Sequence, residues 1–163
     1  MKKAFLLFSF LLIGLLAIAQ NPCPQVIPAL QEWKGTKGTL HLPIQGSIII
    51  NPSDETLLAS TAAILKNDLK ELMGWEYTII TGKAKKDGIY LSLSEPDEQL
   101  GKEGYELSIL NKASIQAPTA QGVFWGTRTL LQMLYRQDAK LAKGTTRDWP
   151  EFPNRGFMLD VGR

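Results

Sequence analysis

Gly104–Leu134 reads GYELSILNKASIQAPTAQGVFWGTRTLLQML, and this stretch decides the fold class. Tyr105, Leu107 and Ile109 alternate with Glu106 and Ser108, the period-two pattern of a half-buried strand. Asn111-Lys112 fits a two-residue turn, and Ala113–Ala117 returns as the hairpin partner. Thr119 then stands where a helix N-cap belongs. Behind it Val123, Thr127, Leu130, Leu131, Leu134 and Tyr135 form one stripe at helical spacing, fading at Arg136. A hairpin feeding an amphipathic helix implies a sheet with a helix laid across one face.

The same grammar extends upstream. Gly46–Ile50 is apolar, β-branched and stopped by Asn51-Pro52, which predicts a strand. Ser53 is a candidate N-cap, with Asp54 and Glu55 in the first turn, where negative charge suits the helix dipole. Leu58, Ala62, Leu65, Leu69 and Leu72 recur at helical spacing until Gly74. Trp75–Ile80 and Ile89–Leu93 are further strands, separated by a basic turn at 82–88; Ser94–Glu103 is a polar loop. Residues 20–39, with Pro22, Pro24, Pro28, Gly35 and Gly38, predict a lead-in of little regular structure, with Val26–Pro28 as a possible edge strand. Gly144–Pro153 predicts an extended, turn-rich linker, and Phe157–Val161 a new apolar strand. Residues 25–140 are therefore the expected ordered core, with 141–163 mobile in the isolated chain. There is no internal repeat. The expected class is α+β: a mixed β-sheet packed against two long helices, followed by the first strand of a truncated (β/α)8 barrel.

Composition narrows the chemistry. The 163 residues carry a formal charge of +2, from 18 Lys+Arg and 16 Asp+Glu. Residues 1–19 have a basic start at Lys2-Lys3, an apolar run and the small-x-small site Ala17-Ile18-Ala19, the pattern of a cleaved signal peptide. The product would be secreted or periplasmic, starting at Gln20, with no membrane span after cleavage. Removing Lys2 and Lys3 leaves 16 basic residues against 16 acidic, which excludes a partner held by a strong positive field, nucleic acid above all. One His and one Cys are too few for most zinc sites, and Cys23 alone makes no disulfide framework. No cofactor or metal is expected. Cys23 follows Pro22, not the small residue that a lipoprotein cysteine follows, and is read as a free thiol.

The ending DWPEFPNRGFMLDVGR, Asp148–Arg163, resembles the approach to the catalytic barrel of glycoside hydrolase family 20, the β-N-acetylhexosaminidases. Asp148-Trp149-Pro150 fills the family's acidic-aromatic-Pro position. Arg155-Gly156 and Leu159-Asp160-Val161-Gly162-Arg163 fill its Arg-Gly and Leu-Asp-x-x-Arg. Upstream, Gly122, Phe124, Gly126, Thr129, Leu130 and Gln132 are similar to the helix pattern of its N-terminal domain, which other glycosidase families share. The LDVGR ending favours family 20 over the O-GlcNAc hydrolases. The implied organisation is a signal peptide at 1–19, a non-catalytic α+β domain at 20–147 and the start of the barrel at 148–163.

The resemblance implies a secreted exo-β-N-acetylhexosaminidase that removes terminal N-acetylhexosamine from glycans. The substrate's own acetamido group would be the nucleophile, assisted by an Asp-Glu pair. That pair belongs to a later barrel strand, so this chain alone is expected to be inactive. Its own Asp54-Glu55 and Asp97-Glu98 are read as solvated surface charge, and no catalytic residue is assigned. One substrate-binding residue is: Arg163, matching the Arg that grips two sugar hydroxyls from the end of the first barrel strand. Asp160 is read as structural. His41 and the four tryptophans Trp33, Trp75, Trp125 and Trp149 are read as fold residues before sugar platforms. Gly82–Lys86 lacks phosphate-loop spacing. The expected partners are N-acetylhexosamine-terminated glycans and the chain's own barrel. The alternative is a stand-alone glycan- or protein-binding accessory module.

Overall fold

The computed structural model of the chain describes residues 20–136, 139–152, 156 and 159. The signal peptide at 1–19, Asp160 and Arg163 lie outside the described residues. So does most of the strand expected at 157–161, of which Leu159 alone is described.

Seven strands and two helices make one mixed sheet with a helical layer. In chain order they are β1 (Lys34–His41), β2 (Gln45–Ile50), α1 (Glu55–Met73), β3 (Glu76–Thr81), β4 (Ile89–Leu93), β5 (Tyr105–Ile109), β6 (Ala113–Ala117), α2 (Ala120–Arg136) and β7 (Lys140–Asp148). The sheet order is β1-β7-β5-β6-β4-β2-β3. β3, β2, β4 and β6 run parallel, whereas β5, β7 and β1 add on antiparallel. Ile48, Ile49 and Ile50 are all buried in β2, the near-continuous apolar run typical of a central parallel strand. Helix α1 packs on β2, β3 and β4, α2 packs on β4 to β7, and the helices touch each other, so both lie on one face.

Leu58, Ala62, Leu65 and Leu69 of α1 are buried as their spacing predicts; Leu72 is exposed. Gly74 ends the helix at φ 70°, the left-handed conformation that glycine adopts most readily. Asp54, not Ser53, occupies the N-cap position, after a single 3-10 turn at Pro52–Asp54. In α2, Val123, Thr127, Leu130, Leu131 and Leu134 are buried and Tyr135 is exposed. Thr119 caps this helix, its hydroxyl oxygen accepting the Gly122 N–H at 3.0 Å. Two glycines let α2 lie close to the sheet. A Cβ on Gly126 would stand 2.5 Å from Ile115 Cγ2, and one on Gly122 would collide with the Gly104 carbonyl.

Two expectations fail at one edge. The predicted linker is strand β7 up to Asp148, and it lies inside the sheet between β1 and β5. Residues 141–148 are therefore ladder-bound, contrary to the expected mobility. Its inward positions are Leu141, Gly144 and Thr146, only one of them aliphatic, so the pattern is muted. Gly144 lies under the Trp33 ring, and the Thr146 hydroxyl donates to the Glu32 carbonyl. Likewise Lys34–His41 is edge strand β1, not lead-in. Two glycines and a register shift between Gly35 and Thr39 obscure its alternation. Residues 26–28 are not a strand. The remaining lead-in is irregular but pinned: Ile27 N–H donates to Gln132 Oε1 (3.0 Å), and Gln132 Nε2 donates back to Ile27 O (2.9 Å).

Candidate functional site

The larger of two concavities among the described residues opens where the chain leaves the sheet. It is a cleft of about 610 Å³ between the lead-in, α2 and the segment after β7. Trp125, Arg128 and Gln132, one face of α2, form one wall; Ile27–Gln31 form another; Trp149, Pro150 and Phe152 close it. Trp125 meets the Phe124 ring edge-on at 5.2 Å and remains 40% exposed. Phe152 is 64% exposed.

Of the polar side chains lining the cleft, which include Glu103 and Glu151, Arg128, Gln132 and Asp148 are committed to the fold. Arg128 lies 4.7 Å above the Phe124 ring and donates from Nη1 to Asp68 of α1 at 2.5 Å, tying the two helices together. Gln132 holds Ile27. Asp148 accepts the Gln31 N–H on Oδ1 at 3.0 Å and the Tyr105 hydroxyl on Oδ2 at 2.7 Å. Burial first, and then the Asp148 charge, push the Tyr105 phenol well above its ordinary range. With Arg128, Gln132 and Asp148 held in this way, the aromatic walls of the cleft suit apolar contact.

The two Asp-Glu pairs are separate from this cleft, and the surface-charge reading fails at Asp54, whereas Asp97 stays at the surface with a third of its side chain exposed. Asp54 is only 7% exposed. Its Oδ2 accepts the Leu93 N–H and Asn51 Nδ2, both at 2.8 Å, and Ser53 donates to Oδ1 at 2.8 Å. Burial pushes this carboxyl up, but the Leu93 amide, Asn51 and Ser53 together hold it below its ordinary value. Asp97 accepts the Gln99 and Leu100 amides on Oδ1, at 2.9 and 3.0 Å, and takes Arg147 Nη2 on Oδ2 at 2.6 Å. The Leu100 amide is the largest influence that lowers its carboxyl. Glu55 and Glu98 are exposed. Both aspartates are structural, and neither faces a cavity with a partner acid.

The other candidates resolve simply. His41 is exposed on β1, with Thr39 Oγ1 3.2 Å from its Nε2. Trp33 donates to the Asn21 carbonyl at 3.1 Å, and Trp75 stacks on Tyr77 at 6.0 Å; both serve the fold. Trp125 and Trp149 line the cleft. Cys23 is an exposed free thiol. Arg163, the one substrate-binding residue expected, lies outside the described residues. Sequence reading missed Arg128 and the cleft role of Gln132, and had Asp148 as a motif position without its hydrogen bonds. The first two were detectable, since 125, 128 and 132 share one helix face off the apolar stripe. Among the described residues no cluster of three or more His, Cys, Asp or Glu side chains fits a metal ion, and no helix is long and apolar enough to cross a membrane.

The model of the family described as "Glycosyl hydrolase family 20, domain 2" matches residues 23–149. A lacto-N-biosidase of Bifidobacterium bifidum is 31% identical over 138 residues, which is 83% of this chain and 12% of that protein. The GH20 β-N-acetylhexosaminidase of Streptomyces coelicolor A3(2) is 25% identical, with a TM-score of 0.63, over 83% of this chain and 28% of that one. The structure of CpGH84D aligns over 82% of this chain and 25% of its own, with a TM-score of 0.68 and 14% identity, a likeness of fold alone. The chain thus spans about an eighth to about a quarter of the length of these relatives.

Proposed function

Since this chain belongs to glycoside hydrolase family 20, we propose that it is the N-terminal, non-catalytic portion of a secreted exo-β-N-acetylhexosaminidase. The observation that carries this reading is the family match across residues 23–149, the whole α+β sheet unit. The chemistry belongs to a following barrel. There a Glu protonates the leaving oxygen, an Asp steadies the acetamido group, and the acetamido oxygen attacks the anomeric carbon. Within this chain the part assigned to that reaction is Arg163, whose fork of donors suits two neighbouring sugar hydroxyls. Secretion through residues 1–19 goes with a polymeric or surface-borne glycan as substrate. A covering partner for the helical layer is supported by the exposed Leu57, Ile64 and Trp125 and by the aromatic cleft beside the exit. The barrel is the partner we assign. The likeness to a lacto-N-biosidase covers this unit only, and sets no preference between releasing one sugar and releasing two.

The test is steady-state hydrolysis of a chromogenic N-acetyl-β-glucosaminide by the longer polypeptide that continues this reading frame. We expect turnover, and Arg163→Lys, which keeps the charge and loses the fork, to lower kcat/KM about a hundredfold or more at ~1.4 kcal/mol per tenfold. Near-parental kcat/KM with Arg163→Lys would remove Arg163 from the sugar site. A polypeptide without turnover on any N-acetylhexosaminide would favour the stand-alone binding module.

A further inference from the structure

We propose that Asp148 is a positioning residue, whose carboxylate fixes the direction in which residues 149–152 leave the α+β unit. Asp148 is the last residue of β7 and the direct cross-strand partner of Tyr105, the first residue of β5. The sheet ladder ends with this pair. The side chain carries the restraint further, because its two oxygens serve two different elements. Oδ1 holds the Gln31 N–H of the lead-in, and Oδ2 holds the Tyr105 hydroxyl. Tyr105 is 3% exposed, and its oxygen lies 2.6 Å from Thr129 Oγ1 in the middle of α2. With the Tyr105 proton given to Asp148, Thr129 is the donor in that second bond. One carboxylate therefore joins the exit to the lead-in, to β5 and to α2. On the opposite face its neighbour Arg147 is held by Asp97 and Glu106, so the strand end is clamped from both sides.

Gln31 N–H and the Tyr105 hydroxyl each take one oxygen of the carboxylate. Asparagine can keep both bonds by turning the Tyr105–Thr129 bond round, its NH₂ donating to the Tyr105 oxygen, so the substitution that removes both acceptors is Asp148→Ala. That the exit leads to the sugar-gripping Arg163 rests on the function proposed above. The geometric claim does not depend on it, and its test reads distances, not turnover.

The experiment is pulsed electron-spin distance measurement on this chain. Nitroxide labels go on Asn67→Cys, exposed on α1, and Glu151→Cys, exposed three residues beyond Asp148, in a Cys23→Ser background. We expect one narrow distance distribution in the parent. Asp148→Ala should broaden it or split it into more than one maximum, while hydrogen exchange at Leu107 and Ile115 stays slow. Tyr105→Phe, which removes the Oδ2 donor and the Thr129 bond but leaves Gln31 held, should broaden it less; it decides the matter if Asp148→Ala does not fold. A parent distribution that is already broad, or one left unchanged in the folded variants, would overturn the proposal.

Discussion

Asp54 shows how a single carboxylate can read as surface charge in sequence and be structural in the fold. Two acidic residues at a helix start suggest solvated charge, yet Asp54 reaches across to the Leu93 amide and is nearly sealed from water. Asp54→Ala strands that amide, and should destabilise the chain by about 1–3 kcal/mol. The pH dependence has a definite sign. The folded carboxyl lies below its ordinary value near 3.8, so its contribution is complete above that pH and is lost as pH falls through the depressed folded value. Thermal melts of parent and Asp54→Ala should therefore differ at neutral pH and converge in strong acid. A gap independent of pH would refute this. Gly126 makes the second case at this scale. Gly126→Ala places a methyl 2.5 Å from Ile115 Cγ2, and overpacking of that kind costs about 1–3 kcal/mol. Denaturant melts that leave the midpoint unchanged would show that α2 can lift off the sheet at no cost. The glycines of the Gly-x-Phe-x-Gly pattern were legible as a resemblance; their physical reason, a helix seated close on β5 and β6, needed the structure.

Among the elements, legibility followed apolar periodicity. β2, β4, β5, β6 and both helices bury aliphatic side chains at regular spacing, and each could be read from the residues. β1 and β7 could not. They sit at the antiparallel edge of the sheet, where glycine, threonine and a ring from the lead-in replace aliphatic alternation. The same gap hid the cleft, because its walls are the lead-in and the residues that follow β7. β7 makes a direct prediction: the amides of Thr145 and Arg147, within its paired stretch, should exchange slowly, close to the rate of β5. Fast exchange across 140–148 would restore the linker reading. Arg163 belongs to the motif reading alone, and no described element tests it.

For the molecule as a whole, the α+β unit supplies a sheet, a helical layer and an aromatic cleft, and neither Asp54-Glu55 nor Asp97-Glu98 lines that cleft. The match is to domain 2 of family 20, and in the function we propose the hydrolytic chemistry lies in a following barrel. The most direct measurement is the rate of chromogenic N-acetyl-β-glucosaminide hydrolysis by the purified 163-residue chain. The account predicts no turnover above the uncatalysed background. Hydrolysis by the 163-residue chain itself, abolished by Asp54→Asn or Asp97→Asn with folding intact, would contradict it.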